Sequence, residues 1–261
     1  MEETASFPLP HVSHDLTGQV ALVTGASAGL GRRFALVLAA AGARVGVCAR
    51  RVERLTDLVA EIEALGGQAV AVELDVADAD AIRAAVQTVE DTFGLVTILV
   101  NNAGIPDARR AHRMDVELVD TVLATNLRGP WLLATEVAGR LIAAERPGRI
   151  VNLSSMGAFH TASAGSSLYS VTKAAINRMT EVLAVEWAAA RINVNAIAPG
   201  SFRSEMTEGL VERVGDYSAT FPRARWGEPA HLDSTLLHLV GPASECVTGT
   251  VVKVDDGQLP R

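Results

Sequence analysis

Lysine and tyrosine are almost missing from this chain: each occurs twice, although the basic residues number 23. Arginine serves wherever a generic surface cation is needed, so the spacing of "YSVTK", Tyr169 to Lys173, is an unusual choice. Cysteine is as scarce. Cys48 and Cys246 are too few for a disulfide framework and stand in no metal-ligand spacing such as C-x-x-C, so a reduced, cytoplasmic setting is expected. The six histidines form no H-x-x-x-H pair, and no metal site is expected. A net charge of −7 leaves no electrostatic handle for a phosphate polymer, which argues against nucleic acid as a partner. The densest basic cluster, Arg109, Arg110 and Arg113, is flanked by Asp107 and Asp115 and reads as a solvated loop. No apolar run is long enough to cross a bilayer, so no membrane span is expected. Residues 1–15 carry acids, prolines and histidines without a basic start and an apolar run, and read as an N-terminal arm rather than a secretory signal.

What the chain does have is length enough for one large core, 261 residues of which 49% are hydrophobic. Short apolar, β-branched runs at 20–24, 43–49, 68–75, 97–101, 149–154, 191–198 and 250–255 alternate with longer segments of helical periodicity. Several runs are apolar on successive residues, as expected of parallel strands covered on both faces. The pattern predicts a single-domain α/β protein over residues 16–261, a Rossmann-type doubly wound parallel sheet of about seven strands flanked by helices. One helix is expected across 115–145 and another across 168–190. Residues 201–229 break the rhythm and read as a lid or binding loop.

The first strand runs into "TGASAGLG", residues 24–31, and then into a helix. Gly25, Gly29 and Gly31 permit a tight turn and a close approach to a pyrophosphate, with Ser27, Leu30 and the free N–H groups of the helix facing the anion. A glycine turn serving only packing is the alternative. At the end of the second strand an NAD site usually carries an acid for the ribose 2′-hydroxyl. Here Ala49 stands in that place and Arg50 and Arg51 follow, which favours a 2′-phosphate, and so NADP(H) over NAD(H). Either arginine could instead decorate the next helix. Asp75, with Val76 beyond it, is placed to accept from an adenine amino group or simply to form a turn.

Taken in order, "TGASAGLG", "LDV", "NNAG" (101–104), Asn126 in "ATNLRG", "IVNLSS" (150–155), "YSVTK", "NAIAPG" (195–200) and "TGTVVKVDDG" resemble a short-chain dehydrogenase/reductase, of the short 3-oxoacyl reductase-like branch, across residues 16–258. The resemblance implies an oxidoreductase moving a hydride between a nicotinamide and a carbonyl or secondary alcohol. It implies Tyr169 as general acid or base, with Lys173 beside it favouring the phenolate and holding the nicotinamide ribose. It implies Ser155, rather than Ser154, as donor to the substrate carbonyl, and Asn126 as the residue holding a water that links Lys173 to solvent. Asn101, Asn102, Ala103 and Gly104 would support the sheet edge and adenosine ribose, while Pro199, Gly200, Phe202 and Ser204 would bind the carboxamide and pyrophosphate end. Two positions depart from the pattern: Ala28 stands where NADP-dependent members often carry a basic residue, and Asp256 where glycine is usual.

Substrate contacts are expected from 106–113, from 156–167, where Phe159 and His160 could line the pocket although His160 reads rather as a surface residue, and from Met206, Leu210, Tyr217, Phe221 and Trp226 in the lid. These favour a small carbonyl or alcohol compound with an apolar body. A homodimer or homotetramer through the helices at 115–145 and 168–190 is expected by the same resemblance. Two other readings remain open: a same-fold epimerase or dehydratase, and a non-catalytic regulator that senses NADPH.

Overall fold

The computed structural model describes residues 11–160 and 165–258. Seven strands, β1 (Val20–Thr24), β2 (Arg44–Ala49), β3 (Gln68–Glu73), β4 (Ile98–Asn101), β5 (Gly148–Leu153), β6 (Ile192–Pro199) and β7 (Val251–Val254), form one sheet in the order β3-β2-β1-β4-β5-β6-β7. Every pairing is parallel. Helices α1 (Gly29–Ala40), α2 (Val52–Ala64), α3 (Ala79–Phe93), α4 (Val116–Leu123), α5 (Gly129–Ala143), α6 (Ser167–Glu186), α7 (Glu205–Val214) and α8 (Asp233–Val240) make the connections. The expected doubly wound sheet is therefore the observed one.

Side chains along β1 alternate between two cores. Ala21 and Val23 join Phe34 and Leu38 of α1, Leu55 of α2 and Leu236 of α8 on one face. Val20 and Leu22 join Val86 of α3, Leu133 of α5 and Ile176 of α6 on the other. This double burial is why the strands read as continuous apolar runs. The order reverses between β1 and β4, and such a switch point opens a crevice beyond the carboxyl ends of the strands.

Strand bounds differ from expectation by a residue or two, each for a local reason. β3 stops at Glu73 because Asp75 turns the chain, its Oδ1 accepting from Ala77 N at 2.9 Å. The helix expected across 115–145 is interrupted: a single π turn, Ala124–Arg128, separates α4 from α5 and carries Asn126. π turns inside helices recur at functional sites. α6 ends at Glu186 rather than 190, and the chain then passes through a 3₁₀ turn to the left-handed Arg191.

Residues 201–229 form a closed excursion from the end of β6. Its neck is pinned by Gly227 N donating to Ser201 O at 3.0 Å and Arg203 N to Gly227 O at 2.8 Å. Inside it Tyr217, Phe221 and Trp226 meet edge to face, with ring centroids 5.1 to 5.4 Å apart. Such aromatic pairs add about 0.5–1.5 kcal/mol each beyond the area they bury. The indole N–H donates to Asp216 at 3.0 Å, fixing the cluster to the loop.

Candidate active site

A cavity of about 1190 Å³ runs along the carboxyl ends of the strands, from the start of α1 to the 201–229 excursion. At one end the glycine turn is set by sterics. Gly25 has φ +66°, and a Cβ there would lie 2.8 Å from Asn102 Nδ2. A Cβ at Gly31 would meet the same nitrogen and Gly25 O at 2.4 Å. Any side chain at either position would displace the turn. Asn102 staples it, its amide donating to Thr24 O at 2.9 Å and Gly25 O at 3.3 Å. Thr24 Oγ1 in turn accepts from the N–H groups of Asn102 and Ala103 at 3.0 and 3.1 Å, so β1 and β4 are locked together at the switch point.

Helix α1 begins at Gly29 with no side-chain cap at Ala28 and no acid in its first turn. Free N–H groups at a helix start, beside glycines that let an anion approach, form a ready phosphate site. Ser27, Gly29, Leu30, Asp75, Val76, Ala103, Gly104, Pro199, Gly200, Phe202 and Ser204 all line the cavity. Gly31 does not; it packs beneath the turn. The two arginines part company here. Arg51 is engaged, donating to Ser27 Oγ at 2.9 and 3.1 Å and to Glu205 at 2.9 Å. Arg50, on the cavity wall and exposed, forms no ion pair among the described residues. The residues present thus fit a phosphorylated dinucleotide: a cradle without Cβ atoms, unspent N–H donors and a guanidinium in reserve.

At the other end lie the Tyr169 phenol and the Lys173 ammonium, the nitrogen 5.6 Å from the ring centroid, one turn apart on α6. Ser155 hydrogen-bonds the phenol, and its Oγ accepts from Gly157 N at 3.0 Å. Ser154 points elsewhere: it is buried and donates to Lys173 O at 3.3 Å. Lys173 Nζ donates to Leu153 O at 2.7 Å. A Cβ at Gly104 would lie 3.4 Å from Asn126 Oδ1 and 3.6 Å from Lys173 Nζ, so these residues converge on one point. Asn126 is fully buried and clasps Ile105, accepting from its N–H at 2.9 Å and donating to its carbonyl at 2.8 Å.

Burial pushes the Tyr169 phenol above its ordinary value; the bond to Ser155 pulls down, and the Asp107 carboxylate adds a smaller upward push. The lowering expected from Lys173 is absent in the chain by itself. Burial wins at both groups, and it drops Lys173 to about 8. The sign fixes a prediction. Between pH 8 and the free-lysine value near 10.5, the unfolded chain binds the proton that the folded chain sheds, so folding gains stability as pH rises. Lys173→Met removes that dependence. The melting temperature of wild type relative to the variant should therefore climb from pH 7 to pH 10; an unchanged difference would mean the ammonium is not desolvated.

Several sequence-based expectations need correction. The arginine cluster at 109–113 is exposed as expected, but its flanking Asp107, within the 106–113 stretch expected to meet substrate, is only 3% exposed and lines the cavity. Phe159 does not line the cavity but lies half exposed beneath Lys253, 4.1 Å from ring centroid to Nζ, whereas His160 does line it. Met206, Tyr217 and Phe221 face the cavity, while Trp226 sits behind them. The Leu210 side chain, residues 161–164 and residues 1–10 of the arm lie outside the described residues. Sequence reasoning missed Thr24, Asn152 and Gln258. Asn152 bridges Asn101 and Thr180 at 3.0 Å each beneath the site, and Gln258 accepts from Ser201 N at 2.7 Å on the cavity wall. An asparagine inside an otherwise apolar strand was the available signal for Asn152.

A doubly wound parallel sheet with this glycine turn at its switch point defines a dinucleotide-binding α/β protein. The chain belongs to the short chain dehydrogenase family, whose model matches residues 19–215, and its relatives are oxidoreductases. It is 38% identical over 247 residues to a 3-oxoacyl-[acyl-carrier-protein] reductase of Synechocystis sp., covering 94% of this chain and 98% of that protein. A short-chain type dehydrogenase/reductase of Mycobacterium marinum is similar in structure, with a TM-score of 0.91 at 33% identity over 95% of this chain and 98% of that one. A short chain dehydrogenase of Burkholderia cenocepacia in complex with NADP has a TM-score of 0.86 at 34% identity, covering 93% and 98%. No helix of the described residues is long and apolar enough to cross a membrane.

Proposed function

We propose that this chain is an NADPH-preferring carbonyl reductase, reversible as a secondary alcohol dehydrogenase. The observation that carries the reading is one cavity joining the α1 cradle and Arg50 to a phenol that Ser155 bonds and Lys173 neighbours. NADP in the Burkholderia cenocepacia relative supports the cofactor choice. When bound, the nicotinamide supplies or accepts the hydride. Gly25, Ser27, Gly29 and the first N–H groups of α1 would hold its pyrophosphate, Arg50 the 2′-phosphate, and Lys173 the ribose hydroxyls.

The protein's own part is proton transfer and orientation. Ser155 donates to the substrate oxygen and stabilises the negative charge that develops there. Tyr169, kept protonated by burial at neutral pH, gives its proton to that oxygen; in oxidation it must first lose the proton, and Lys173 then stabilises the phenolate. Asn126, its amide clasping Ile105 close to Lys173 Nζ, would hold the water that links Lys173 to solvent. Met206, Tyr217 and Phe221 present an apolar wall, which suits a ketone, 3-oxoacyl chain or 3-oxo ester. The exposed Trp131 and Ile142 of α5 and Val171 and Val185 of α6 support a homodimer or homotetramer through these helices.

The test is loss of absorbance at the reduced-nicotinamide band with a panel of ketones and 3-oxo esters, each run with NADPH and NADH. Net oxidation of NADPH with product alcohol is expected. Tight NADPH binding with no turnover on any member would favour the sensor reading instead, and epimerised product without net cofactor consumption the epimerase.

A further inference from the structure

Helix α6 carries both Tyr169 and Lys173, so its first turn sets where the phenol stands. That turn needs acceptors for its leading N–H groups. Ser166, at the N-cap position, supplies no side-chain cap. The acceptor comes instead from 61 residues upstream: Asp107 Oδ2 takes the N–H of Leu168 at 2.8 Å and that of Tyr169 at 3.2 Å. Its Oδ1 takes Ala108 N at 2.8 Å. The carboxylate is 3% exposed and pairs with no cation among the described residues. A buried charge without a counter-ion is costly, and here three N–H donors and the positive end of a 20-residue helix offset that cost.

Asp107 lies midway along the β4–α4 loop, which leaves β4 through Asn102, Ala103 and Gly104 on the cavity wall. The loop is clamped at Ile105 by Asn126 and two residues further on by Asp107 on α6. Asn126 also reaches Thr172 Oγ1 at 3.4 Å, and that hydroxyl donates to Tyr169 O at 2.7 Å. The backbone of Tyr169 is therefore tied at its N–H by Asp107 and at its carbonyl by Thr172. We propose that Asp107 is a positioning residue, a long-range cap that fixes the first turn of α6 and thereby the phenol against Ser155 and the nucleotide wall. The role rests on the reductase reading above, but the cap itself does not.

The titratable groups around the phenol are Lys173 on its own helix, Asp107 from the β4–α4 loop, His160 after β5 and Tyr217 from the 201–229 excursion. Asp107 is the carboxylate at this end of the cavity, and its charge opposes the phenolate. Three measurements on Asp107→Ala and Asp107→Asn test the proposal. Hydrogen exchange on the cofactor-free protein should quicken across residues 167–172 in Asp107→Ala by about tenfold or more, the result of removing an acceptor from the first turn. In steady state with NADPH, kcat of Asp107→Ala should fall by about 10²-fold with the KM for NADPH within about twofold, as a small displacement of a reacting group does. Asp107→Asn keeps an acceptor oxygen and drops the charge. It should restore most of kcat and move the phenol limb of the pH–rate profile to lower pH, which a purely structural residue would not do. Unchanged exchange overturns the cap; a folded Asp107→Ala with wild-type kcat, or an unmoved limb in Asp107→Asn, overturns the positioning role. Faster exchange in a chain without turnover on any ketone would retain the cap and sink the reductase reading alone.

Discussion

Tyr169→Phe is expected to lower turnover with NADPH and a ketone by about 10³-fold, inside the range that general acid catalysis contributes. The dissociation constant of NADPH should change by less than about threefold, because the ring stays and only one hydroxyl is lost. The geometry makes the variant clean. The phenol's bond runs to Ser155, itself held by Gly157 N, so deletion leaves a hydroxyl on the cavity wall and no buried orphan. A ketone that accepts a hydride carries a full negative charge on oxygen until a proton arrives. Ser155 can stabilise that charge by a hydrogen bond but, with an ordinary hydroxyl, cannot relinquish a proton to it and return to its starting state without a relay. Fluorescence titration of NADPH alongside the steady-state assay separates the two quantities. Undiminished kcat in Tyr169→Phe would remove the proton-transfer role and with it the proposed mechanism.

The parts of this molecule that were readable in sequence are those encoded in short, contiguous patterns. Doubly buried strands show as unbroken apolar runs, and a glycine cradle shows because no other residue fits where a Cβ would strike Asn102 at 2.4 to 2.8 Å. The Tyr169 and Lys173 pairing was legible because helix periodicity alone brings i and i+4 together. What stayed hidden depends on contacts across long separations. Asp107 looked like an ordinary loop acid because its partners are 61 and 62 residues away. The π turn around Asn126 follows from packing of that helix against the loop at Ile105, and local propensity carries no mark of it. The relative standing of Arg50 and Arg51 was equally beyond sequence, since it turns on where Ser27 and Glu205 come to lie.

That last contrast yields the second large effect. Arg50→Ala should raise the KM for NADPH by about 10- to 100-fold while leaving that for NADH within about twofold, since a charge-assisted hydrogen bond is worth about 1.5–3 kcal/mol. Arg51→Ala should do much less. Its guanidinium is shared between Ser27 and a lid carboxylate, and Glu205 is held ionised by Arg51 and Arg54 together. A 2′-phosphate approaching Arg51 must therefore contend with the negative charge of Glu205, while Arg50 has no such competitor among the described residues. Repeating the NADPH titration in rising salt adds an independent reading: loss of Arg50 should flatten the salt dependence of NADPH binding and leave that of NADH alone, because only the former carries the extra phosphate charge. Equal losses for both cofactors in Arg50→Ala would take away the preference for NADPH. A larger loss in Arg51→Ala than in Arg50→Ala would mean that Arg51 abandons Glu205 on binding, which places the specificity contact on Arg51, beside Ser27 at the start of α2, rather than on Arg50.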